Sequence, residues 1–191
     1  PGAILAAGSF SIYNGTSANG IVRILSNGSI DPTFNSGGTG TSDSIFCIAV
    51  QPDGKILLGG TFTTFNSLVR NRIVRLNTDG SIDPSFISGS GEFNGKVRSI
   101  LLDGSRIYVA GDFTNYGIDY IGGSDPAYQR ILRYRLDGSL MNYTPADPLA
   151  ALPLAPGSVY DIEPLSNGSL FAGGAFGFVK FLPDSLLGDN S

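Results

Sequence analysis

A stretch of about thirty residues occurs twice in this chain, and the two copies align with each other without a gap. Residues 56–86 align with residues 4–34 at a constant offset of 52, so that Gly60 falls on Gly8 and Arg75 on Arg23. Internal similarity at a fixed period of roughly 20–50 residues is typical of repeat architectures such as propellers and solenoids. This repeat therefore constrains the fold more than any other feature of the sequence.

Two further copies are present, but they are unequal. The third begins at Ile107 and carries an insertion at residues 121–127, whereas the fourth, around residues 170–176, has almost no connecting loop. The first copy lacks the segment that precedes the glycine pair in the other three. We predict four units, at residues 1–41, 42–95, 96–156 and 157–191, and expect them to be a fragment of a longer protein.

Each unit contains three short apolar runs that predict β-strands. In the second unit they are Ile45–Val50, Ile56–Leu58 and Ile73–Leu76, and Ser81–Phe86 is a candidate fourth strand at the sheet edge. The first two runs are continuously apolar, which indicates burial on both faces. Because propeller blades are sandwiched between neighbouring sheets, we predict an all-β fold of propeller-type tandem repeats. It would have about four blade units of three to four antiparallel strands, as part of a larger propeller.

The repeat is similar to a known family. Residues 51–86, QPDGKILLGGTFTTFNSLVRNRIVRLNTDGSIDPSF, closely resemble the delta-60 repeat at PDGKI, GGTF and RLNTDGSIDPSF. The resemblance is strong in copies one and two, fair in copy three and weak in copy four, where Pro183-Asp184-Ser185 replaces Asp-Gly-Ser. It implies a β-propeller unit of large bacterial or phage-related proteins, in a secreted, surface or particle setting. It implies no catalytic residues.

Composition excludes several function classes. The net charge is −4 and no Lys/Arg run occurs, so no nucleic-acid partner is expected. No apolar stretch is long enough to predict membrane insertion. The chain has no His, which removes Ser-His, Cys-His and His-metal chemistry. The only Glu residues, Glu92 and Glu163, lie in no motif, so we expect a non-enzymatic protein without cofactor or metal and keep a glycan hydrolase as a distant alternative.

Three residue types recur at equivalent positions of the four copies. The second residues of the Gly/Ala pairs are Gly8, Gly60, Gly111 and Gly174. The aromatic residues two positions later are Phe10, Phe62, Phe113 and Phe176. The basic residues that follow an apolar pair are Arg23, Arg75, Arg133 and Lys180.

We interpret these recurring residues mainly as structural. Glycine within a strand often marks close backbone approach, and the phenylalanines would pack between blades. The basic residues would pair with a carboxylate or carbonyl of their own or the next blade, with Asp31 and Asp83 as partners in copies one and two. A phosphate cradle at the glycines and an anion-binding ring of basic residues are the functional alternatives.

A second alternative concerns metal binding. Asn77, Asp79, Ser81 and Asp83 alternate like the first half of a calcium loop, but Gly80 comes too early and no closing Glu follows. A turn stabilised by local side-chain hydrogen bonds is therefore favoured over a calcium site.

The most divergent loop spans residues 115–130 and carries Tyr116, Tyr120 and Tyr128. Tyrosine supplies contact area with a polar group at low entropic cost, so this loop is predicted either to contact a partner, protein or glycan, or to be a plain surface loop. In repeat proteins the scaffold recurs while loops diverge. We therefore expect a structural or assembly module of an extracellular, surface or virion-associated protein such as a phage tail. Its partners would be neighbouring repeats or assembly subunits. The alternative is an adhesin that recognises surface glycans.

Overall fold

The computed structural model describes residues 2–86, 93–114, 130–139, 141, 157–166 and 169–181. Over these residues the regular structure consists of β-strands. The strands are β1 (Ile4–Ala7), β2 (Ile12–Tyr13), β3 (Thr16–Ser17), β4 (Ile21–Ile24), β5 (Ile45–Val50), β6 (Ile56–Gly60), β7 (Thr64–Phe65), β8 (Leu68–Val69), β9 (Ile73–Leu76), β10 (Val97–Asp103), β11 (Arg106–Gly111), β12 (Ile131–Arg135), β13 (Val159–Pro164), β14 (Leu170–Gly174) and β15 (Gly177–Phe181). Within the same ranges, no helix has the length and hydropathy needed to cross a membrane.

Four antiparallel sheets follow one another along the chain. Blade one is the pair β1-β4, blade two is β5-β6-β9, blade three is β10-β11-β12 and blade four is β13-β14-β15. Short hairpins, β2-β3 and β7-β8, are inserted between the second and third strands of the first two blades. The prediction of an all-β fold of propeller-type repeats is confirmed, and in blade two the three strands have the predicted order.

The candidate fourth strand of blade two does not form. Only one bridge, between Leu76 and Ile82, continues the pairing beyond β9. The Asp83 amide donates to the Arg75 carbonyl, and the Asp83 carboxylate then accepts the amide and hydroxyl of Ser85. This local capture of the backbone turns the chain away from the sheet edge.

The hydrophobic core lies between the blades. We call the side of a blade that meets the next blade its forward face, and the opposite side its backward face. The forward face of blade two, with Leu57 and Ile73, packs on the backward face of blade three, with Ile107 and Val109. Every residue of β6 is buried because the strand is covered on both sides, as its continuous apolar sequence predicts.

The blades converge at their first strands. In blades two to four, β5 packs beside β10 and β10 beside β13, so the three first strands lie nearest the axis of the arrangement. Each of them pairs with its second strand through a β-bulge, which leaves one residue of the first strand without a partner in the register. The three bulged residues are Phe46, Arg98 and Tyr160.

Candidate functional site

The recurring glycines are required by the bulges. A Cβ on Gly60, Gly111 or Gly174 would collide with the backbone carbonyl oxygen of the residue just before the adjacent first strand. The carbonyls are those of Ser44, Lys96 and Ser158, and each accepts a hydrogen bond of 2.8–3.0 Å from the amide of the residue after the glycine. The space that glycine leaves open is therefore filled by the protein's own backbone.

Gly8 is the exception. A Cβ there would meet only the Phe10 ring, at an ordinary contact distance of 3.5 Å. In blade one, β1 pairs with β4 alone, so within the described residues this glycine has no first strand of its own blade beside it.

The recurring phenylalanines differ in depth. Phe62 and Phe113 are fully buried in the clusters between blades, and Phe113 packs edge to face on Phe93 with ring centroids 4.5 Å apart. Phe10 and Phe176 are half-buried. All four thus contribute apolar contact, most of it in the two middle blades.

Arg75 joins blade two to blade three. Its Nε donates to Asp83 Oδ2 at 2.7 Å, and the same carboxylate oxygen accepts Lys55 Nζ at 2.9 Å. Its Nη1 and Nη2 reach across the blade boundary to the carbonyls of Leu136 and Asp137, at 2.5 and 2.9 Å. We call this arrangement the arginine bridge.

The arginine bridge is repeated one blade earlier. Arg23 donates from Nε to Asp31 at 2.9 Å and from Nη1 to the carbonyl of Thr78, which is the blade-two counterpart of Leu136, at 2.5 Å. Each guanidinium also lies over a phenylalanine ring, Phe34 for Arg23 and Phe86 for Arg75. The two arginines thus use their donors within the fold and do not present a free anion-binding ring.

The equivalent positions in the later blades differ from these two. Arg133 is buried, and Lys180 is exposed. Met141 stands where copies one and two have Asp31 and Asp83, and its amide still donates to the Arg133 carbonyl.

The carboxylates of the two bridges have lowered pKa values. Burial alone would raise the pKa of Asp83, but hydrogen bonds from Ser85, Lys55 and Arg75 outweigh burial and hold it well below the usual range. The pKa of Asp31 is lowered by hydrogen bonds from the hydroxyl and amide of Thr33, with Arg23 contributing less.

The alternating polar residues of the blade-two turn serve the turn itself. Asp79 accepts the amide and hydroxyl of Ser81, and Asn77 donates to the Ser81 hydroxyl. Asp83 is engaged by Ser85 and the arginine bridge. No group of three potential metal ligands is found among the residues that the structure describes.

The bulged residues form a surface that sequence reasoning did not single out. Phe46 and Tyr160 are exposed by 47% and 53%, and Arg98, between them in blade order, is half-buried. With Asp112 and Asp161 they make up what we call the bulge surface. A signal was present in the sequence, because the second residue of each first strand, in SIF, KVR and SVY, is large and differs between copies.

Arg98 organises this surface. Its Nε and Nη2 donate to the two carboxylate oxygens of Asp112 at 2.6 and 2.8 Å, a bidentate pair, and its guanidinium lies 5.1 Å from the Tyr160 ring centroid. The hydrogen bonds that Arg98 donates to Asp112 raise the pKa of Arg98. Burial would raise the pKa of Asp112, but hydrogen bonds from Arg98 and Ser158 lower it.

Asp161 faces blade three from blade four. Its Oδ1 accepts the Ser99 hydroxyl at 2.8 Å and the amide of Ile162 at 2.9 Å. Asp112 and Asp161 both depart from the residue types at their repeat positions, and the structure brings each of them to a bulge. The predicted contact residues Tyr116, Tyr120 and Tyr128 lie outside the described residues.

The chain matches the model of a family described as a domain of unknown function (DUF5122) beta-propeller, over residues 2–34 and 51–86. The match covers about a third of the chain and supports a propeller-type repeat. No curated protein matches the chain.

Similar solved structures come from B. thetaiotaomicron. One is the extracellular domain of BT4673, described as a hybrid two component system, with a TM-score of 0.51 and 15% identity over 88% of this chain and 19% of that chain. A second structure of a BT4673 extracellular domain has a TM-score of 0.49 at 16% identity, over 90% of this chain and 18% of that chain. The BT3049 extracellular domain has a TM-score of 0.31 at 16% identity, over 91% of this chain and 26% of that chain. The chain thus spans about a fifth to a quarter of the length of these domains, and the first likeness supports the propeller-type fold.

Proposed function

We propose that this chain is a non-enzymatic interaction module, and that the bulge surface contacts its partner. One observation carries the proposal. The same backbone bulge in three successive blades presents three different side chains, Phe46, Arg98 and Tyr160, two of them well exposed. A constant scaffold with variable exposed residues is the pattern by which repeat proteins make binding surfaces.

The electrostatics of the surface favour binding over catalysis. A general acid needs a carboxyl with a raised pKa, whereas Arg98 and Ser158 lower the pKa of Asp112 and keep it ionised. Paired in this way, Arg98 and Asp112 offer rigid polar edges beside the ring of Tyr160.

The setting that we propose is extracellular, at a cell surface or on a virion, with a phage tail protein as one example. The resemblance to the delta-60 repeat supports this setting, and we keep that family as the finer proposal for the repeat. The BT4673 domain, which is described as extracellular, supports the same placement. The favoured role is assembly through protein contacts.

Recognition of a surface glycan is the second candidate. Exposed aromatic rings beside a few fixed polar groups are the usual lining of small-molecule sites, and Phe46, Tyr160 and the Arg98–Asp112 pair supply both. The predicted tyrosine loop at residues 115–130 is a further proposed contact.

The test compares Phe46→Ser/Tyr160→Ser with the control Leu68→Ser/Val69→Ser, which alters two somewhat more exposed apolar residues of the β7-β8 hairpin. Incorporation of the protein into its parent particle or assembly is measured beside glycan-array binding. We expect only the bulge variant to lose incorporation. If the bulge variant instead loses glycan binding, glycan recognition takes the place of assembly as the proposed function. A folded bulge variant that behaves as wild type in both assays would overturn the proposal. Deletion of residues 121–127 tests the loop in the same assays.

A further inference from the structure

One position at the start of the third strand has a left-handed backbone in all four blades. In each blade, the residue after this position pairs with the first member of the Gly/Ala pair on the second strand. The position is occupied by Gly20, Arg72, Arg130 and Gly177, with φ of 86°, 71°, 107° and 90°. Glycine adopts this conformation without steric cost, whereas a residue with a Cβ is strained in it. Blades two and three therefore hold an arginine where the backbone favours glycine.

The strained backbone indicates that the two arginine side chains do more than complete the blades. Blades one and four form the same strand pair with glycine at this position, so the pairing itself does not require arginine. Residues that keep an unfavourable backbone conformation cluster at sites of function. We therefore examine what Arg72 and Arg130 contact.

Neither arginine has a carboxylate at ion-pair distance within the part of the chain that the structure describes. Arg72 donates from Nη1 to the Thr61 carbonyl, and Arg130 donates from Nη1 to the equivalent carbonyl of Asp112 at 3.2 Å. Each guanidinium is thus held by one backbone contact, and each has five N–H donors in all. The arginines that do form ion pairs in the described chain are Arg23, Arg75 and Arg98.

Both guanidinium groups lie at the end of the blades that carries the bulge surface, where the second strands end and the third strands begin. Arg130 borders that surface directly, because it contacts the carbonyl of Asp112, whose carboxylate pairs with Arg98. Arg72 has the same place one blade earlier, near the exposed Asp43. The Asp43 carboxylate accepts the amide and hydroxyl of its neighbour in sequence at 2.7 and 3.2 Å.

We propose that Arg72 and Arg130 bind carboxylates on an acidic segment of a protein partner, beside the bulge surface. A guanidinium binds a carboxylate through two parallel hydrogen bonds, as Arg98 does with Asp112. Arginine is also enriched at protein–protein interfaces and among the residues that contribute most to their affinity. The Arg98 guanidinium already lies over the Tyr160 ring, which leaves less of that ring for a sugar and favours a polypeptide over an acidic glycan.

This inference rests on the proposed interaction role, but its two residues lie outside the bulge surface. The test variant is Arg72→Gly/Arg130→Gly, which gives blades two and three the residue that blades one and four already have. The control is Arg106→Gln/Arg135→Gln, which removes two positive charges from a cross-strand pair at the opposite end of blade three. Calorimetry measures binding of poly-L-glutamate, and thermal unfolding is followed for each protein.

We expect the glycine variant to bind poly-L-glutamate at least tenfold more weakly than wild type, and the control to stay within twofold. The thermal midpoint of the glycine variant should equal or exceed that of wild type, because glycine relieves the left-handed strain. A second variant, Arg72→Gln/Arg130→Gln, keeps a side chain at both positions and should lose binding to the same extent.

Three results would overturn the proposal. The first is unchanged binding of poly-L-glutamate by the two arginine variants. The second is a lowered thermal midpoint in the glycine variant, which would show that the arginines serve the fold. The third is a wild-type protein that binds polygalacturonate but not poly-L-glutamate, which would assign the arginines to an acidic glycan.

Incorporation into the parent assembly separates this inference from the proposed function. If the glycine variant is incorporated normally and Phe46→Ser/Tyr160→Ser is not, the carboxylate contact is wrong and the bulge surface stands. If only Phe46→Ser/Tyr160→Ser is incorporated normally, the assignment of the partner to the bulge surface is wrong and the arginine contact stands.

Discussion

Replacement of Arg75 by Met tests the arginine bridge, and replacement of Arg23 by Met is its matched control. The side chain of Arg75 is 1% exposed, and its donors serve Asp83 and two carbonyls of blade three. Arg23 pairs with Asp31 and reaches one carbonyl of the next blade, that of Thr78, and its side chain is 22% exposed. The two variants therefore compare a buried arginine bridge with a more exposed one.

The expected loss in the free energy of unfolding depends on the charged group that each substitution leaves without its partner. Loss of one partner from a buried ion pair costs about 3–5 kcal/mol, because the other charge stays buried and uncompensated. Lys55 still reaches Asp83, so the lower end, about 3 kcal/mol, is expected for Arg75→Met. The Arg23–Asp31 pair is more exposed than the Arg75–Asp83 pair, so Arg23→Met should cost less, about 1 kcal/mol with its packing on Phe34 included.

Urea denaturation followed by circular dichroism at pH 7 measures both free energies of unfolding. In a chain of this length, 1 kcal/mol corresponds to about 2–4 °C in Tm, so Arg75→Met should melt roughly 6–12 °C below wild type. A double variant, Arg75→Met/Asp83→Leu, should regain at least about 1 kcal/mol, because replacing both partners with apolar groups removes the buried charge. Equal losses for Arg75→Met and Arg23→Met, or no recovery in the double variant, would refute the reasoning.

Three other predictions follow from the described contacts. Gly111→Ala should lower the free energy of unfolding in urea by about 1–3 kcal/mol, because the added Cβ meets the Lys96 carbonyl. Gly8→Ala, whose Cβ meets only the Phe10 ring, should change it by less than about 0.5 kcal/mol. Equal losses in the two variants would contradict the explanation by the bulge. Because the pKa of Asp83 is lowered in the folded protein, its ionised carboxylate stabilises the fold fully above about pH 4, and this contribution is lost as the pH falls further. In Asp83→Asn, the free energy of unfolding should therefore fall less steeply with decreasing pH below about pH 4 than in wild type. The same pH dependence in both proteins would contradict this role of Asp83. Burial raises the pKa of the Cys47 thiol to about 12. Ellman's reagent at pH 8 should therefore react slowly with the native protein and rapidly with the protein unfolded in urea. A rapid reaction of the native protein would show that the thiolate is accessible.

Strand positions were predictable because they depend on local sequence. The structure has Ile45–Val50 and Ile73–Leu76 as strands with the predicted bounds, and the second strand extends through the glycine pair to Gly60. Continuous apolar runs between Asp-Gly and Asn-Gly turns leave little choice of element. The ion pairs of Arg23 and Arg75 could also be foreseen, since their carboxylates follow eight residues later in both copies.

The bulge surface could not be predicted in the same way, because it depends on pairing register. Arg98 and Asp112 lie on different strands, and only the bulge between Val97 and Ser99 turns the Arg98 side chain toward Asp112. In the sequence, the bulged position is one residue within an apolar run, and nothing local shows that it has no partner across the sheet.

The recurring glycine and the bulged residue of blades two to four depend on the same backbone contact. At each bulge, the carbonyl just before the first strand approaches the second strand more closely than a Cβ would permit, and one side chain lies outside the pleated pairing. The same contact that lets the blades converge therefore creates a position that is free to vary. A change at Gly111 should then displace Arg98 from Asp112 as well as destabilise blade three, so the scaffold and the bulge surface are coupled through the backbone at this bulge.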